Sequence, residues 1–321
     1  METMNEPQRM EQALQQLARL ILRHAPSNGT HRTVMPSLTL MYAAHPAEPL
    51  ETVHKPSICV VAQGAKTATL AEETYRYDPS TYLVTSVELP TIGRIVEATP
   101  EIPYLSLKLS FDADVILEIL NKMDLPVSAP AEAGRGISVN RMSSSLLEAA
   151  VRLMQLLDTP EDIPVMEPLI VREILYRMLQ GEPGALLHQF AIVGSHGYNI
   201  AQAIRVINRQ YDRPLAVELL AKSANMSVSA FHKHFKRVTA MSPLQYLKSV
   251  RLQEARRLML AESMPASDAA FRVGYESPSQ FSREYARMYG KPPMRDVQET
   301  KRGVLSSPPD LIHLSANTLE D

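Results

Sequence analysis

Two groups of polar side chains recur 50 residues apart in the last third of the chain. They belong to two segments that align without a gap, VELLAKSANMSVSAFHKHFKRVT (217–239) and SDAAFRVGYESPSQFSREYARMY (267–289). The side chains concerned are hydroxyls, an imidazole, an amide and two cations: Ser229, His232, Lys233, Ser279, Gln280 and Arg283. Arginine and lysine donate to O6 and N7 of guanine, and glutamine pairs with N6 and N7 of adenine. The chemistry that this set offers is therefore hydrogen bonding to the edges of DNA bases.

Each segment predicts a helix, a tight turn and a second helix. Ser227 and Ser277 stand where a serine would cap the second helix of each copy. Apolar residues at helical spacing mark the buried face, namely Val228, Phe231, Phe235 and Val238 in the first copy and Pro278, Phe281, Tyr285 and Met288 in the second. Predicted phosphate contacts surround the reading set: Ser227, Lys236, Arg237, Ser277 and Arg287. One such face could be merely a solvated surface, but two copies in register favour two helix-turn-helix units.

The segment between the copies, SPLQYLKSVRLQEARRLMLAE, predicts one continuous helix with Pro243 in its first turn. About 20 residues at a rise of about 1.5 Å give a rod of about 30 Å. One turn of B-DNA is about 34 Å, so this helix can hold two reading heads in successive major grooves. Four cations on it are either phosphate contacts or simply solvated: Lys248, Arg251, Arg256 and Arg257.

The net charge of −2 conceals an asymmetry. Residues 195–296 contain 16 basic and 8 acidic residues, a net charge of +8, and the remainder of the chain has a net charge of −10. A basic module joined to an acidic one indicates that one part binds a polyanion. Chance clustering on solvated helices would produce the same asymmetry.

The first half of the chain predicts β-structure over about 50–111. Five short runs separated by turn formers have strand character, ICVVA, KTATL, YLVTSV, GRIVE and YLSLKLS. This spacing fits a small antiparallel barrel or sandwich. In the last run Leu105, Leu107 and Leu109 share one face, and Ser106 and Lys108 share the other.

Helical patterns flank the strands. An amphipathic helix is predicted around Met10 to Ile21, and four more are predicted in DADVILEILNKM, SSSLLEAAVRLMQLL, MEPLIVREILYRMLQG and GALLHQFAIVG. Their apolar stripes could form a dimer face or simply a core. The stretch 126–136 is rich in Pro, Ala and Gly and predicts a surface connection.

The C-terminal segment closely resembles the DNA-binding domain of the AraC/XylS family of transcription regulators. The matching residues are ANMSVSAFHKHFK, SPLQYLKSVRLQEARRLML and ASDAAFRVGYESPSQFSREYARMYGKPP, about 100 residues in order. One departure is Ala240, where the family usually has glycine after the first reading helix. An L-residue is less comfortable than glycine in a left-handed cap, so the local geometry there is in question.

The N-terminal half resembles the AraC-type N-terminal domain in PSICVVAQGAK, YRYDPSTYLVTSVELP and IVREILYRMLQG. The resemblance implies an α+β protein, with a cupin-like β-barrel and helices that bind an effector and mediate dimerisation (1–194). An all-α DNA-binding domain (195–297) and a flexible tail (298–321) follow. It further implies a homodimeric activator that contacts RNA polymerase. Two alternatives stay open, an architectural DNA binder without an effector and a cupin-like enzyme fused to a DNA-binding module.

Catalysis and metal binding find little support in the sequence. Cupin-like barrels often hold a metal on histidines, but no histidine lies between His54 and His188. No phosphate loop or nucleophile elbow is present, so neither enzymatic activity nor a cofactor is expected. The N-terminus does not resemble a secretory signal and no run of 18 apolar residues occurs, so we expect a cytoplasmic, nucleoid-associated protein.

Six residues of the strand region are candidates for an effector pocket: Cys59, Gln63, Lys66, Tyr75, Tyr77 and Lys108. Cys59, the single cysteine, is either an inert core residue or a thiol that senses oxidants or electrophiles. Lys108 either pairs with an acidic effector, forms a carbinolamine with a carbonyl compound, or lies on the surface.

Overall fold

The computed structural model of the chain describes residues 5–47, 49–123 and 134–306. Its N-terminal half contains ten strands, β1 (Gly29–Arg32), β2 (Leu38–Ala43), β3 (Leu50–His54), β4 (Ser57–Gln63), β5 (Ala65–Leu70), β6 (Glu73–Tyr77), β7 (Thr81–Thr85), β8 (Leu89–Glu97), β9 (Tyr104–Ser110) and β10 (Ile137–Arg141). They form a six-stranded sheet in the order β1-β2-β9-β4-β7-β10 and a four-stranded sheet in the order β3-β8-β5-β6. Every pairing is antiparallel. The predicted α+β class and β-barrel are therefore confirmed.

The six-stranded sheet is buried on both faces. On β4, Ile58 and Val60 join the hydrophobic cluster shared with the helices, whereas Cys59 and Val61 join the cluster between the two sheets. A sheet covered on both sides reads as a continuous apolar run, as ICVVA does.

The same arrangement corrects the surface position considered for Lys108. On β9, Leu105, Leu107 and Leu109 pack against the helices. Lys108 is on the opposite face of the strand, beside Cys59 in the cross-strand register. The polar face of β9 is thus the inner face of the barrel, because helices rather than solvent cover its apolar face.

The predicted barrel range of about 50–111 is too short. The five predicted strands are β4, β5, β7, β8 and β9, but the barrel begins at β1 and ends at β10. Two of the missed strands lack an apolar alternation: β1 is the four-residue GTHR, and β6 is the largely polar ETYRY. The missed strand β2, LTLMYA, is apolar but lies before the predicted range. Pairing with neighbouring strands, which the sequence does not display, stabilises them.

Helices cover the outer face of the six-stranded sheet. They are α1 (Glu6–His24), α2 (Ala113–Lys122), α3 (Ser144–Gln155), α4 (Ile163–Gln180) and α5 (Gly184–Ala191). All five were predicted. Asn5 caps α1 in a capping box with Gln8, and Ser143 caps α3 by accepting from the Leu146 amide. Most of the predicted connection, residues 126–133, lies outside the described residues.

The C-terminal half is helical throughout the residues described. It comprises α6 (His196–Arg209), α7 (Val217–Ser223), α8 (Val228–Thr239), α9 (Pro243–Ala261), α10 (Ala266–Arg272), α11 (Pro278–Tyr289) and α12 (Pro293–Ser306). The pairs α7/α8 and α10/α11 are the predicted helix-turn-helix units, and α9 is the predicted linking helix. The predicted tail (298–321) is wrong in its first part, because α12 continues to Ser306. Residues 307–321 lie outside the described residues.

The barrel and the first helix-turn-helix unit share one core. A single apolar cluster contains Val87 and Leu89 of the barrel together with Ile200 of α6, Phe235 of α8 and Tyr246 of α9. The second unit has a cluster of its own, built around Phe281 and Tyr285. Among the described residues, none of the helices is both long and apolar enough to span a membrane.

Candidate DNA interface and barrel interior

The first reading helix, α8, presents most of the predicted face to solvent. Ser227 caps the helix, its Oγ accepting from the Ala230 amide at 3.2 Å. Phe231, Phe235 and Val238 are fully buried, which holds Ser229 and Lys233 on the exposed side and leaves His232 half-buried. Val228 corrects the predicted apolar face, since it is 41% exposed at the first turn of the helix.

His234 differs from its neighbour His232 in environment. It is buried and its ring stacks on that of His196, with centroids 4.3 Å apart. Burial lowers the pKa of His234, so the ring is held neutral. The part of the chain that the structure describes contains no group of three histidine, cysteine or carboxylate side chains suited to a metal ion.

The second reading helix, α11, repeats this construction. The Ser277 Oγ accepts from the Gln280 amide at 3.3 Å, and Phe281 and Tyr285 are fully buried. Ser279, Gln280 and Arg283 are exposed. The Gln280 amide group donates to Glu284 Oε1 at 3.3 Å, so Gln280 must exchange that bond to pair with a base.

Both reading helices end in a left-handed residue. In α11 this residue is Gly290, with φ of 72°. In α8 it is Ala240, with φ of 62°. The departure from glycine at Ala240 therefore leaves the left-handed cap in place, although the residue there carries a Cβ.

The linking helix α9 has the predicted length and start. It spans 19 residues, with Pro243 in its first turn and a capping box between Ser242 and Gln245. At a rise of about 1.5 Å per residue it measures about 28 Å. It is therefore long enough to separate the two units by nearly one turn of B-DNA.

The four cations of α9 are committed to partners within the protein. Lys248 pairs with Glu284 at 2.6 Å, and Arg257 pairs with Glu254 at 2.8 Å. Arg251 donates to backbone carbonyls of the loop after α6. Lys248 and Arg251 thus tie the linking helix to the second and first units, whereas the partner of Arg257 lies on α9 itself.

The residues predicted to contact phosphate lie around the reading faces. Lys236, Arg237 and Arg287 are exposed on α8 and α11. The hydroxyls of Ser227 and Ser277 already accept the capping hydrogen bonds, and each retains its O–H to donate to a phosphate oxygen.

The barrel brings together four of the six predicted pocket residues. Cys59 and Lys108 are cross-strand neighbours on the six-stranded sheet. Lys66 and Tyr77 are cross-strand neighbours on the four-stranded sheet and face the same interior. The Lys66 amine lies 3.5 Å from the Met41 sulfur. Burial lowers the pKa of this amine, Cys59 raises it and Lys108 lowers it.

Gln63 and Tyr75 make other contacts. The Gln63 amide donates to the carbonyl of Pro103 at 2.8 Å, at the bulge in β4. The Tyr75 hydroxyl donates to Glu73 at 2.7 Å, beside the C-terminal helices.

Two further polar groups of the interior escaped the sequence reasoning. His54 Nδ1 and Thr91 Oγ1 are buried without a hydrogen-bond partner. Burial lowers the pKa of His54 to about 3, and Lys66 and Lys108 lower it further, so the imidazole is neutral. The alternation of β8, in which Leu89, Thr91 and Ile95 share a face, could have placed Thr91 in the interior. His54 could not be placed there because its strand, β3, was not predicted.

The segment before β10 contacts the end of the first reading helix. The Gly136 amide donates to the carbonyl of Val238 at 2.9 Å. Arg135 donates to the carbonyls of Lys236 and Arg237 at 2.9 and 2.6 Å, while its guanidinium is ion-paired with Glu73. The last carbonyls of a helix have no partner within it, so the barrel supplies the C-terminal cap of α8.

Two polar networks extend this contact along the domain boundary. Glu88 of the barrel accepts from Asn208, and its carbonyl accepts from the buried Tyr246 hydroxyl at 2.9 Å. Arg256 of the linking helix bridges Glu51 of β3 at 3.0 Å and Asp296 of α12 at 2.8 Å. The barrel thereby touches α6, α8, α9 and, through Arg256, the end of the second unit.

Known proteins match this chain in both halves. Residues 34–186 match the family described as the AraC-type transcriptional regulator N-terminus, and residues 220–298 match a helix-turn-helix domain. The lactose operon transcription activator of Staphylococcus xylosus is 26% identical over 227 residues, covering 69% of this chain and 78% of that protein. The Msm operon regulatory protein of Streptococcus mutans is 25% identical, covering 65% of this chain and 72% of its own.

Among solved structures, ToxT from Vibrio cholerae in its unsaturated-fatty-acid-bound form has the same fold. The TM-score is 0.52 at 8% identity, over 80% of this chain and 94% of that one. A barrel followed by paired helix-turn-helix units is thus found in another protein in the same order. Because both family models match in that order, the chain belongs to the AraC/XylS family of DNA-binding transcription regulators.

Proposed function

We propose that this protein is a sequence-specific transcription activator that binds promoter DNA through α8 and α11 and responds to a small-molecule effector. The observation that carries the proposal is the pair of capped reading helices with exposed polar faces, joined by a 19-residue helix. That length suits two successive major grooves on one side of the DNA.

In the proposed complex, Ser229, His232 and Lys233 read bases in one groove. Ser279, Gln280 and Arg283 read bases in the next groove, with Arg283 donating to a guanine. Phosphates are held by residues at the edges of the reading faces: Ser227, Lys236, Arg237, Ser277 and Arg287. The net charge of +8 over residues 195–296 supports this division of roles.

Effector control would pass through the contact between the barrel and α8. Arg135 and Gly136 cap the helix that carries the first reading set, so a change in the barrel alters how that helix is held. An effector shifts the equilibrium only if it binds the two arrangements with different affinity. ToxT, whose fold is the same, was solved with an unsaturated fatty acid bound, which supports a small-molecule site in this architecture.

The direction of control is proposed from the relatives. The Staphylococcus xylosus relative is named a transcription activator. An activator contacts RNA polymerase, and the helices around the barrel offer a surface for a homodimer. We propose that the protein acts by binding alone, without an enzymatic reaction, at chromosomal DNA in the cytoplasm.

The experiment that tests the proposal is a footprint of the purified protein on the DNA flanking its own gene, with random duplex as competitor at a stated salt concentration. We expect protection of stretches of about two helical turns on one face of the DNA. Protection of a single turn would contradict the use of two reading helices by one chain. Two DNAs are compared with random duplex: the flanking DNA and duplexes selected for binding from a random pool. If neither binds more tightly than random duplex, the result would contradict sequence-specific binding.

A further inference from the structure

The interior of the barrel contains an excess of positive charge. Lys66 comes from the four-stranded sheet and Lys108 from the six-stranded sheet. Both lie near Cys59 and oppose the rise in the pKa of its thiol that burial causes. Neither lysine forms an ion pair with any carboxylate of the described residues. The single polar contact of the Lys66 amine in that part of the chain is the Met41 sulfur, which is a weak acceptor.

Burial makes this excess costly. An ammonium group in an apolar interior without a counter-charge is strongly destabilised and tends to lose its proton. Burial does lower the pKa of Lys66, and the neighbouring Lys108 lowers it further. A bound anion would relieve the same cost while leaving the amine charged.

Neutral hydrogen-bonding groups accompany the two lysines. His54 and Thr91 face the interior from adjacent strands of the four-stranded sheet, paired in register as His54 with Leu89 and Thr52 with Thr91. Their Nδ1 and Oγ1 atoms are buried, with only 7% and 1% of the residues exposed, and have no partner. Buried polar atoms are almost always hydrogen-bonded, so a polar ligand in the interior would satisfy both groups.

The two lysines of the interior are not completely enclosed by protein. Lys66 lies deep among protein atoms and yet retains accessible surface, as do Met41 and Lys108. Its side chain extends across Gly93, where a Cβ would lie 3.1 Å from the Lys66 Cε. The rest of the interior is apolar, with Leu70, Leu83 and Ile95 fully buried.

We propose that the barrel interior binds a small organic acid, whose carboxylate lies between Lys66 and Lys108 and accepts from Thr91, and whose apolar part packs against the leucine and isoleucine side chains. His54 provides a neutral hydrogen-bond partner beside it. This assignment rests on the proposed effector role of the barrel and names the chemical class of the effector.

The test is calorimetric titration of the full-length protein, without DNA, with acetate, butyrate, hexanoate and phenylacetate, each beside its neutral amide. We expect at least one carboxylate to bind with a Kd of about 1 mM or tighter and its amide to bind at least tenfold more weakly. Lys66→Met and Lys108→Met should each weaken that carboxylate at least tenfold. Lys122→Met, which removes an exposed lysine of α2, is the matched control and should leave binding unchanged.

Three results would overturn the proposal. The first is that no member of the series binds at about 1 mM. The second is that the amide binds as well as the acid. The third is that Lys66→Met and Lys108→Met retain full affinity while circular dichroism shows that they are folded. Because the titration contains no DNA, each of these results leaves the footprint and the DNA-binding function standing. Loss of the footprint alone would instead contradict the proposed function.

Discussion

Arg283 and Lys236 separate two kinds of DNA contact at the level of single side chains. Arg283 is exposed on the reading face of α11, whereas Lys236 is exposed near the end of α8. We expect Arg283→Ala to cost about 1–3 kcal/mol on the specific site and to relax the preference at one base position. Lys236→Ala should weaken all duplexes alike and reduce the dependence of affinity on salt. Titrations of specific and random duplex at several salt concentrations measure both effects.

Arg295 is a suitable control for the arginine substitution. It lies on α12, outside both reading helices, and is paired with Glu299 at 2.8 Å with 72% of its side chain exposed. Arg295→Ala should change affinity for the specific site by less than about 0.5 kcal/mol. If Arg283→Ala weakened specific and random DNA equally, Arg283 would be a phosphate contact and not a reader of bases.

The charge of Lys66 gives the proposed acid site a pH dependence. Burial holds the pKa of this amine below its ordinary value, so the amine is charged at low pH and loses its charge as the pH rises through that lowered pKa. Carboxylate affinity should therefore be highest at the low end of the pH range and fall by up to tenfold for each pH unit above the pKa. Cys59 and Tyr77 face the same amine, and burial raises the pKa of both, which opposes their ionisation as the pH rises. His54 is neutral at every pH of the titration.

Calorimetric titration of the bound carboxylate between about pH 6 and pH 10 measures this dependence. The residual affinity of Lys66→Met should not follow the wild-type fall. A wild-type affinity that stayed constant to the top of the range would show that the charge of Lys66 does not hold the ligand.

At the level of elements, the two reading helices differ in their caps, and the difference predicts a stabilising substitution. Ala240 ends α8 at φ of 62°, where an L-residue costs about 1 kcal/mol relative to glycine. Ala240→Gly should raise the free energy of unfolding by about 0.5–1 kcal/mol. Chemical denaturation of the two proteins in parallel measures the change.

Gly290 provides the converse substitution in the second unit. Its φ is 72°, and a Cβ there would meet no atom within 4 Å, so strain of the backbone is the main cost of an alanine. Gly290→Ala should destabilise the protein by about 1 kcal/mol. A neutral or destabilising Ala240→Gly together with a neutral Gly290→Ala would contradict the account of both caps.

The helices could be predicted from the sequence because their signals are local. Apolar spacing, Ser143, Ser227 and Ser277 as caps, and Pro243 in a first turn all act within a few residues. Three of the ten strands, β1, β3 and β6, could not be predicted, because their own residues lack a strand pattern and pairing with neighbouring strands stabilises them. The same reason hid His54 from the candidate pocket, since its inward face is fixed by pairing with β8.

At the level of the whole molecule, the sequence predicts two modules but not how they touch. Arg135 and the carbonyls of Lys236 and Arg237 are separated by about 100 residues, at hydrogen-bond distances of 2.9 and 2.6 Å. Arg256 was expected to be solvated or bound to phosphate, yet its side chain is only 15% exposed between Glu51 and Asp296. Such contacts depend on the arrangement of complete domains, for which no short pattern exists.

The docking of the barrel onto α8 predicts that Arg135 transmits the state of one domain to the other. Arg135→Ala removes the hydrogen bonds to two terminal carbonyls of α8 and leaves Glu73 without its cation. Both ionic partners are partly exposed, so we expect the loss of stability to be modest, about 1–2 kcal/mol. The larger effect should be on coupling, because the reading helix no longer has its cap on the barrel. Affinity for the specific site should then become the same with and without the effector acid.

Gly136 tests the same contact by steric exclusion. A Cβ at this position would lie 2.6 Å from Val87 and 3.3 Å from Val238, the residue whose carbonyl accepts from the Gly136 amide. Gly136→Ala should therefore displace the segment before β10 from Val87 within the barrel and from Val238 of α8, which loosens their docking at a cost of about 1–3 kcal/mol and increases the radius of gyration measured by small-angle X-ray scattering. Arg141→Ala, at the exposed end of β10, is the matched control and should change neither quantity. If Arg135→Ala and Gly136→Ala both kept the wild-type dimensions and the wild-type response to the effector, the signal would have to reach the DNA through another path. One such path is the Glu51–Arg256–Asp296 network, which leads from the barrel to the second unit.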